Sequence, residues 1–551
     1  MSVDAMVQVP LVQHFDLIAQ APGGVARLRE LILTLAVQGK LVPQDPMETP
    51  VDVSVISAGI NRLIDEGKVP RSRTTADVDQ ETSFDELPNG WVAVIASNVF
   101  VPRSGNSKLI KGKLFSEPAE HLFPGYSASG QDVWLSNFEY EGTAVILSAV
   151  GARCGKAFLA NGKWSAIANT HIIWPLLDLV LPEYSMLLLN NEDYWIRSGG
   201  AQPFVKVTET LQKAVFLPPL DEQSRIVTRV EELMQLCDAL EASGQLEAQQ
   251  HAQLVDTLLG TLTQSETPEA LADNWQHIAT HFDLLLDRPE AVDALEQTIL
   301  QLAVRGLLVP QDPNDEPASS LLQKIRAEKD HLIAQGKIKR DKPLPPITDG
   351  EQPFQLPKGW QWVRFDELIH PLKPIAYGVL VPGPDVETGV PFVRIADLSL
   401  DSPASKPEKA ISPEIDAQFQ RTRLEGGEIL MGVVGSIGKL GVAPATWAGA
   451  NIARAICRIV PADSGLNEFV LFLLQTKFMQ ESFAGDTRTL AQPTLNVGLI
   501  RAALTPLPPP EEQSRIVARV NELRSLCADL RQRLSAAQST QGHLADASVA
   551  V

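Results

Sequence analysis

The sequence predicts an α+β fold made twice: two α+β domains joined by long antiparallel coiled-coil helices, in a pseudo-twofold, circularly arranged duplication. Three observations predict it. Short motifs recur along the 551 residues in the same order, which marks a repeated scaffold. Behind two proline runs, apolar residues fall alternately four and three apart, as a coiled-coil seam requires. Between the repeated motifs lie segments that hardly resemble each other and carry β-rich apolar runs.

Taken in chain order, residues 1–86 read as a helical scaffold segment that recurs at 268–355. His14-Phe-Asp-Leu-Ile18 returns as His281-Phe-Asp-Leu-Leu285, and Ile32-Leu-Thr-Leu-Ala-Val-Gln-Gly-Lys-Leu-Val-Pro-Gln-Asp-Pro46 returns as Ile299 to Pro313, both 267 residues later. Val25, Leu28, Ile32 and Leu35, like Val292, Leu295, Ile299 and Leu302, form helical stripes that should stop at Gly39 and Gly306. Leu87-Pro-Asn-Gly-Trp91 opens a first inserted domain, 87–220, and Leu356-Pro-Lys-Gly-Trp360 a second, 356–510. Their strands are expected at 144–150, 171–174, 428–434 and 455–460. Pro218-Pro219 and Pro508-Pro509-Pro510 end these domains and precede acids suited to a helix N-terminus. The helices that follow carry Ile226, Val230, Leu233, Cys237 and Leu240 in the central spacer, 221–355, and Ile516, Val520, Leu523, Cys527, Leu530 and Leu534 in the last segment, 511–551. The first scaffold copy has no long helix before it and the last helix nothing after it, so the two chain ends are expected to meet.

A formal net charge of −20 argues against nucleic acid, but the charge is uneven. Residues 221–300 hold sixteen acids against three basic residues, whereas 88–219 hold ten of each and 357–507 hold fourteen basic and fifteen acidic. The stretch 221–300 cannot be a phosphate-binding surface, whereas the two inserted domains are near neutral and can present a basic patch. The four cysteines, Cys154, Cys237, Cys457 and Cys527, show neither disulfide density nor C-x-x-C spacing and read as reduced thiols. No signal-peptide pattern and no apolar run of about 18 residues is present, so a cytoplasmic protein without membrane contact is expected. An Asn-Pro-Pro-Tyr-like methyltransferase motif is lacking. The Gly432–Lys439 run has the wrong glycine spacing for a phosphate loop, and Leu440 replaces its Ser/Thr.

Candidate DNA contacts follow from residue type. Arg103, Lys108, Lys111 and Lys113 fall in an acid-free stretch, 102–113, with Gly105, Asn106 and Ser107, and read as a basic loop. Lys156 and Lys439 each follow a strand and a Gly turn, where backbone amides and a lysine can approach phosphate; a solvated hairpin tip is the alternative. Arg153 suits bidentate reading of guanine. Arg421, Arg423, Arg454 and Arg488, with Lys439, form a looser set in the second domain. Gln202 has the chemistry to read adenine, yet Gly200-Ala-Gln-Pro203 recurs as Leu490-Ala-Gln-Pro493 at the same offset, which favours a structural turn. Trp91 and Trp360 read as packing anchors, and Cys237 and Cys527 as core.

The Leu-Pro-x-Gly-Trp openings, the Leu-Pro-Pro-x-x-Glu-Gln closings (Leu217–Gln223, Leu507–Gln513) and the helices after them resemble the specificity subunits of type I restriction-modification enzymes, over nearly the whole chain. The resemblance implies a non-catalytic subunit that binds double-stranded DNA through two target-recognition domains and docks two modification (methyltransferase) subunits and restriction subunits. S-adenosylmethionine, ATP and Mg2+ would then sit on those partners, with no cofactor or metal on this chain. Two unlike readers on a duplicated spacer imply an asymmetric, two-part site. A fused restriction and methylation enzyme, or a scaffold without DNA contact, are the alternatives.

Overall fold

The computed structural model describes residues 18–19, 21–70, 87–191, 194–200, 202–265, 267–485 and 494–549. His14 to Leu17, Arg488 and the Leu490–Pro493 piece lie outside them. The chain divides into two compact units, residues 1–246 with 538–551, and residues 247–537.

In the first unit, α1 (Gly24–Val37) buries Leu28 and Ile32 and stops at Gly39, whose φ of +69° needs a residue without Cβ. Helix α2 (Ile56–Asp65) follows. The inserted domain then begins with β1 (Val92–Ile95) and runs through β2 (Phe100–Ser104), β3 (Phe123–Ser127), β4 (Gly130–Leu135), β5 (Tyr140–Glu141), β6 (Ala144–Ser148), β7 (Ala157–Ala160), β8 (Lys163–Ala166) and β9 (Thr170–Pro175). Helix α3 (Pro182–Leu189), β10 (Arg197–Ser198), β11 (Phe204–Val205) and β12 (Ala214–Leu217) complete it before the long helix α4 (Leu220–Thr263). One four-stranded sheet has the order β2-β9-β6-β7, the other β4-β3-β8-β5. Every residue of β6 is buried: Ala144 to Leu147 as their apolar run requires, and Ser148 with them. Trp174 of β9 and Trp164 of β8, ring centroids 5.5 Å apart, join the two sheets.

In the second unit the remainder of α4 leads into α5 (Pro268–Thr280), α6 (Pro289–Val304) and α7 (Ala318–Ala334). Strands β13 (Gln361–Arg364), β14 (Ala376–Tyr377), β15 (Val390–Val393), β16 (Lys409–Ile411), β17 (Ile429–Gly432), β18 (Leu440–Val442), β19 (Asn451–Ile452) and β20 (Ile456–Ile459) come next. They precede α8 (Asn467–Gln475), α9 (Lys477–Gly485), β21 (Leu504–Leu507) and the long helix α10 (Pro510–Val549). The sheets have the orders β14-β20-β17-β18 and β16-β15-β19.

The inserted segments, unlike in sequence, share a common pattern of strand pairing, to which the first adds β5 on β8 and the β10·β11 pair. β1 pairs antiparallel with β12 as β13 does with β21. β3 pairs antiparallel with β4 and parallel with β8, just as β15 pairs with β16 and β19. The likeness is hidden in the sequence because the cores differ: Tyr140, Trp164 and Trp174 stack in the first domain, while Val393, Leu430, Ile452 and Trp447 fill the second.

The recurring motifs meet at a single contact in each unit. The Glu222 carboxylate accepts from Trp91 Nε1 at 3.0 Å and from Gln44 Nε2 at 2.6 Å; Glu512 accepts from Trp360 Nε1 at 2.9 Å and from Gln311 Nε2 at 2.6 Å. The next residues, Gln223 and Gln513, donate to Pro218 O and Pro508 O, tying the helix start to the proline run. Arg225 pairs with Glu48 and Arg515 with Asp315. Burial pushes both glutamates above the usual carboxylate range against the lowering pull of their Trp and Gln hydrogen bonds. Removing the acceptor by Glu512→Ala strands two donors and should cost about 2–3 kcal/mol in urea unfolding of the full chain. Because the folded pKa is raised, the proton favours the folded state: this contribution is complete below the ordinary glutamate pKa and is lost as pH rises through the folded value. Relative to a Glu222→Gln/Glu512→Gln chain, the wild type should gain stability as pH falls from neutral toward the ordinary glutamate pKa. A stability difference that is flat with pH would count against the buried acids.

The long helices supply core to both units. Ile226, Val230, Leu233 and Cys237 share the first core with Ala545 near the end of α10, and Arg27 pairs with Asp546, so the expected meeting of the chain ends is present. In the second unit Val255, Leu259 and Leu262 share a core with Ile516, Val520 and Cys527. All four cysteines are free and buried.

Candidate nucleic-acid interface

In the first domain the antiparallel pair β6·β7 is closed by residues 149–156, where Ser148 N donates to Lys156 O at 2.8 Å and Gly155 N to Ser148 O at 2.9 Å. A second segment lies along this hairpin: Gly151 N donates to Pro203 O at 2.8 Å, Val205 N to Ala149 O at 3.0 Å, and Val150 bridges Phe204. Arg153 and Gln202, 49 positions apart in sequence, are thus brought to neighbouring turns, both exposed. Arg153 has no side-chain partner among the described residues. Lys156 Nζ lies 5.9 Å from the Phe158 ring centroid.

The second domain carries the same device. Gly432 N donates to Lys439 O at 2.7 Å, Gly438 N to Gly432 O at 2.9 Å and Leu495 N to Val433 O at 2.8 Å, while Val434 bridges Thr494. Its hairpin is one residue shorter and sets Ser436 and Ile437 where the first has Ala152, Arg153 and Cys154. In the first domain Gln202-Pro203 therefore lies in the segment that braces the hairpin; its repeat at 492–493 lies outside the described residues. Lys439 Nζ donates to Ile395 O at 2.9 Å, a lysine held against the fold.

The basic stretch 102–113 divides in space. Arg103 lies on β2, not in the loop; its Nη1 donates to Gly67 O and Lys68 O at 2.8 and 2.9 Å and its guanidinium stands over the Tyr140 ring. It ties the scaffold to the sheet. Lys111 pairs with Asp132 of β4, and Asn106 Nδ2 donates to Glu139, so the acid-free stretch is met by acids from elsewhere in the chain. Lys108 and Lys113 are exposed and have no side-chain partner among the described residues. In the second domain Arg423 is paired with the fully buried Asp416, whereas Arg421 and Arg454 are exposed without such a partner among the described residues.

Sequence reasoning does not single out Arg197 of β10. It is exposed and packs on the hairpin, where a Cβ added at Gly155 would stand 3.3 Å from its Nη2. No local pattern announces it, because the hairpin it touches lies some forty residues earlier. Among the described residues no group of three or more His, Cys, Asp or Glu is placed to hold a metal ion.

Residues 382–537 match the family described as the type I restriction modification DNA specificity domain. The chain is similar to the type I restriction enzyme EcoAI specificity subunit of Escherichia coli, 33% identical over 563 residues covering 95% of this chain and 93% of that protein. Similarity to the EcoEI specificity subunit of Escherichia coli is 31% over 562 residues, with the same coverage. Among solved structures, the HsdS subunit from Thermoanaerobacter tengcongensis aligns at 18% identity over 84% of this chain and 97% of that one, with a TM-score of 0.35. A chain from a study of complex assembly and conformational transition of the type I R-M system aligns at 17% identity over 84% and 98%, with a TM-score of 0.44.

Proposed function

Because the chain belongs to the family of type I restriction-modification specificity subunits, we propose that it reads an asymmetric, two-part DNA site, one part with each inserted domain, while docking modification and restriction subunits. It supplies the sequence reading and no chemistry; methyl transfer to adenine and ATP-driven restriction belong to those partners with their S-adenosylmethionine, ATP and Mg2+. The observation that carries this reading is the shared hairpin-and-brace device with unlike side chains. A common backbone frame presents Arg153, Lys156 and Gln202 in one domain and Ser436, Ile437 and Lys439 in the other, as two readers of different sequences require. Lys108, Lys111 and Lys113 in the first domain, and Arg421 and Arg454 in the second, would then hold phosphates. Arg488 belongs to the same proposed set, whereas Arg103 and Arg423 act on the fold.

Mapping methylated adenines in DNA from cells that make this chain with its modification subunits tests the reading. One bipartite sequence with unlike halves is expected, and scattered methylation without a motif would sink it. Within that site, Arg153→Ala should cost about 1–3 kcal/mol at a single base pair and relax preference there. Equal weakening on every sequence would make Arg153 a phosphate contact.

A further inference from the structure

The loop that carries the lysines in the first domain has a counterpart of opposite chemistry in the second. After β2, Asn106 N donates to Ala166 O at 2.8 Å and Asn106 bridges Ile167 in parallel; after β14, Val379 N donates to Ile452 O at 2.8 Å and Val379 bridges Ala453 in parallel. Residues 107–113 and 380–383 therefore leave the same point of the shared pairing pattern. Where the first loop offers Lys108 and Lys113, the second offers Leu380 and Val381, 57% and 75% exposed.

A single exposed leucine needs no explanation. Here two consecutive apolar side chains stand at a loop tip fixed by Pro382 and by Gly383, whose φ is +71°. The backbone of Arg454 runs beside them, its N donating to Val379 O at 2.9 Å, and its exposed side chain has no hydrogen-bond or ion-pair partner among the described residues. Asp385, the first acid after the tip, is taken up by Lys409 Nζ at 2.7 Å and Ala410 N at 3.0 Å. An apolar tip flanked by an unneutralised cation fits a surface that joins phosphate to methyl groups. On duplex DNA that surface is the major groove at thymine, whose 5-methyl is the apolar group among the base edges.

Resting on the reading that the second domain binds duplex DNA, we propose that Leu380 and Val381 are specificity-determining contacts that pack on thymine methyl groups, with Arg454 on an adjacent phosphate. The two domains then use one loop position differently, for phosphate in the first and for methyl groups in the second.

The test uses the full chain assembled with its modification subunits, bound to its mapped site with each thymine of the second-domain half replaced in turn by uracil, which removes only the methyl. At one or two positions the wild type should bind about fourfold more weakly, the effect of taking one methyl away from an apolar partner. The Leu380→Ala/Val381→Ala chain should bind thymine and uracil duplexes equally, and Arg454→Ala should weaken all duplexes alike while keeping the discrimination. Wild-type indifference to uracil at every position would overturn the proposal, as would discrimination that survives in the double variant. Absence of sequence-selective binding by the wild type would instead overturn the DNA reading beneath it.

Discussion

Replacing residues 96–213 with the matching segment of a relative is expected to change one half of the recognised sequence and leave the other untouched. The cut points follow from the ladder Val92↔Leu217 to Ile95↔Ala214. Beyond its far end everything belongs to the inserted domain, and before it stands the Trp91–Glu222–Gln44 contact that holds the scaffold. A cut at residue 200 would separate β10 from β11 and strip the 151–203 brace from the hairpin. Each mismatched base pair costs about 1–3 kcal/mol, so a half-site of roughly three pairs should be disfavoured by on the order of 10²–10⁶ after the exchange. Sequencing of methylated adenines reads the outcome directly. A change in both halves would end the model of two independent readers.

Changing Lys108, Lys111 and Lys113 together to Ala should flatten the salt dependence of DNA binding by the assembled methyltransferase. Each phosphate that a lysine no longer neutralises lowers the log–log slope by about 0.9, so a fourfold rise in salt weakens the variant by roughly 3.5-fold less per phosphate than the wild type. Lys111 already has Asp132 as a partner and must exchange it for phosphate, so Lys108 and Lys113 should account for most of the change. Arg103→Ala separates this effect from folding. With two backbone acceptors at Gly67 and Lys68 vacated, that variant should lose thermal stability and keep the wild-type slope. An unchanged slope in the triple-lysine chain would mean that the loop is merely solvated.

These predictions draw on what sequence could and could not show. The scaffold was legible because each recurring motif supplies one member of a single buried contact. The Trp of Leu-Pro-x-Gly-Trp, the Gln of Val-Pro-Gln-Asp-Pro and the Glu that opens the long helix must be kept together, and so all three recur. The shared strand pairing was not legible, since backbone ladders make no demand on side-chain identity and a Trp164–Trp174 core serves as well as one of Leu430, Ile452 and Trp447. Among the candidate contacts, residue type identified Arg153, Lys108 and Arg454 as cations but gave no warning that Arg103 and Arg423 are spoken for. Their partners are carbonyl groups of Gly67 and Lys68 and a carboxylate hidden at Asp416, which no local pattern reveals.

The closure of the first core by the far end of the chain sets a timetable for synthesis. Arg27 Nη1 donates to Gly542 O, and Ala545 is fully buried in the core that includes Leu28 and Ile32. A ribosome adding roughly 5–20 residues each second needs about 25–100 s to travel between those two positions. Throughout that interval the apolar surface around Leu28 has no cover from the helix that will bury it. The first unit to be started is therefore the last to be finished, and a nascent chain that pauses within α10 displays that surface to every neighbour on the same message.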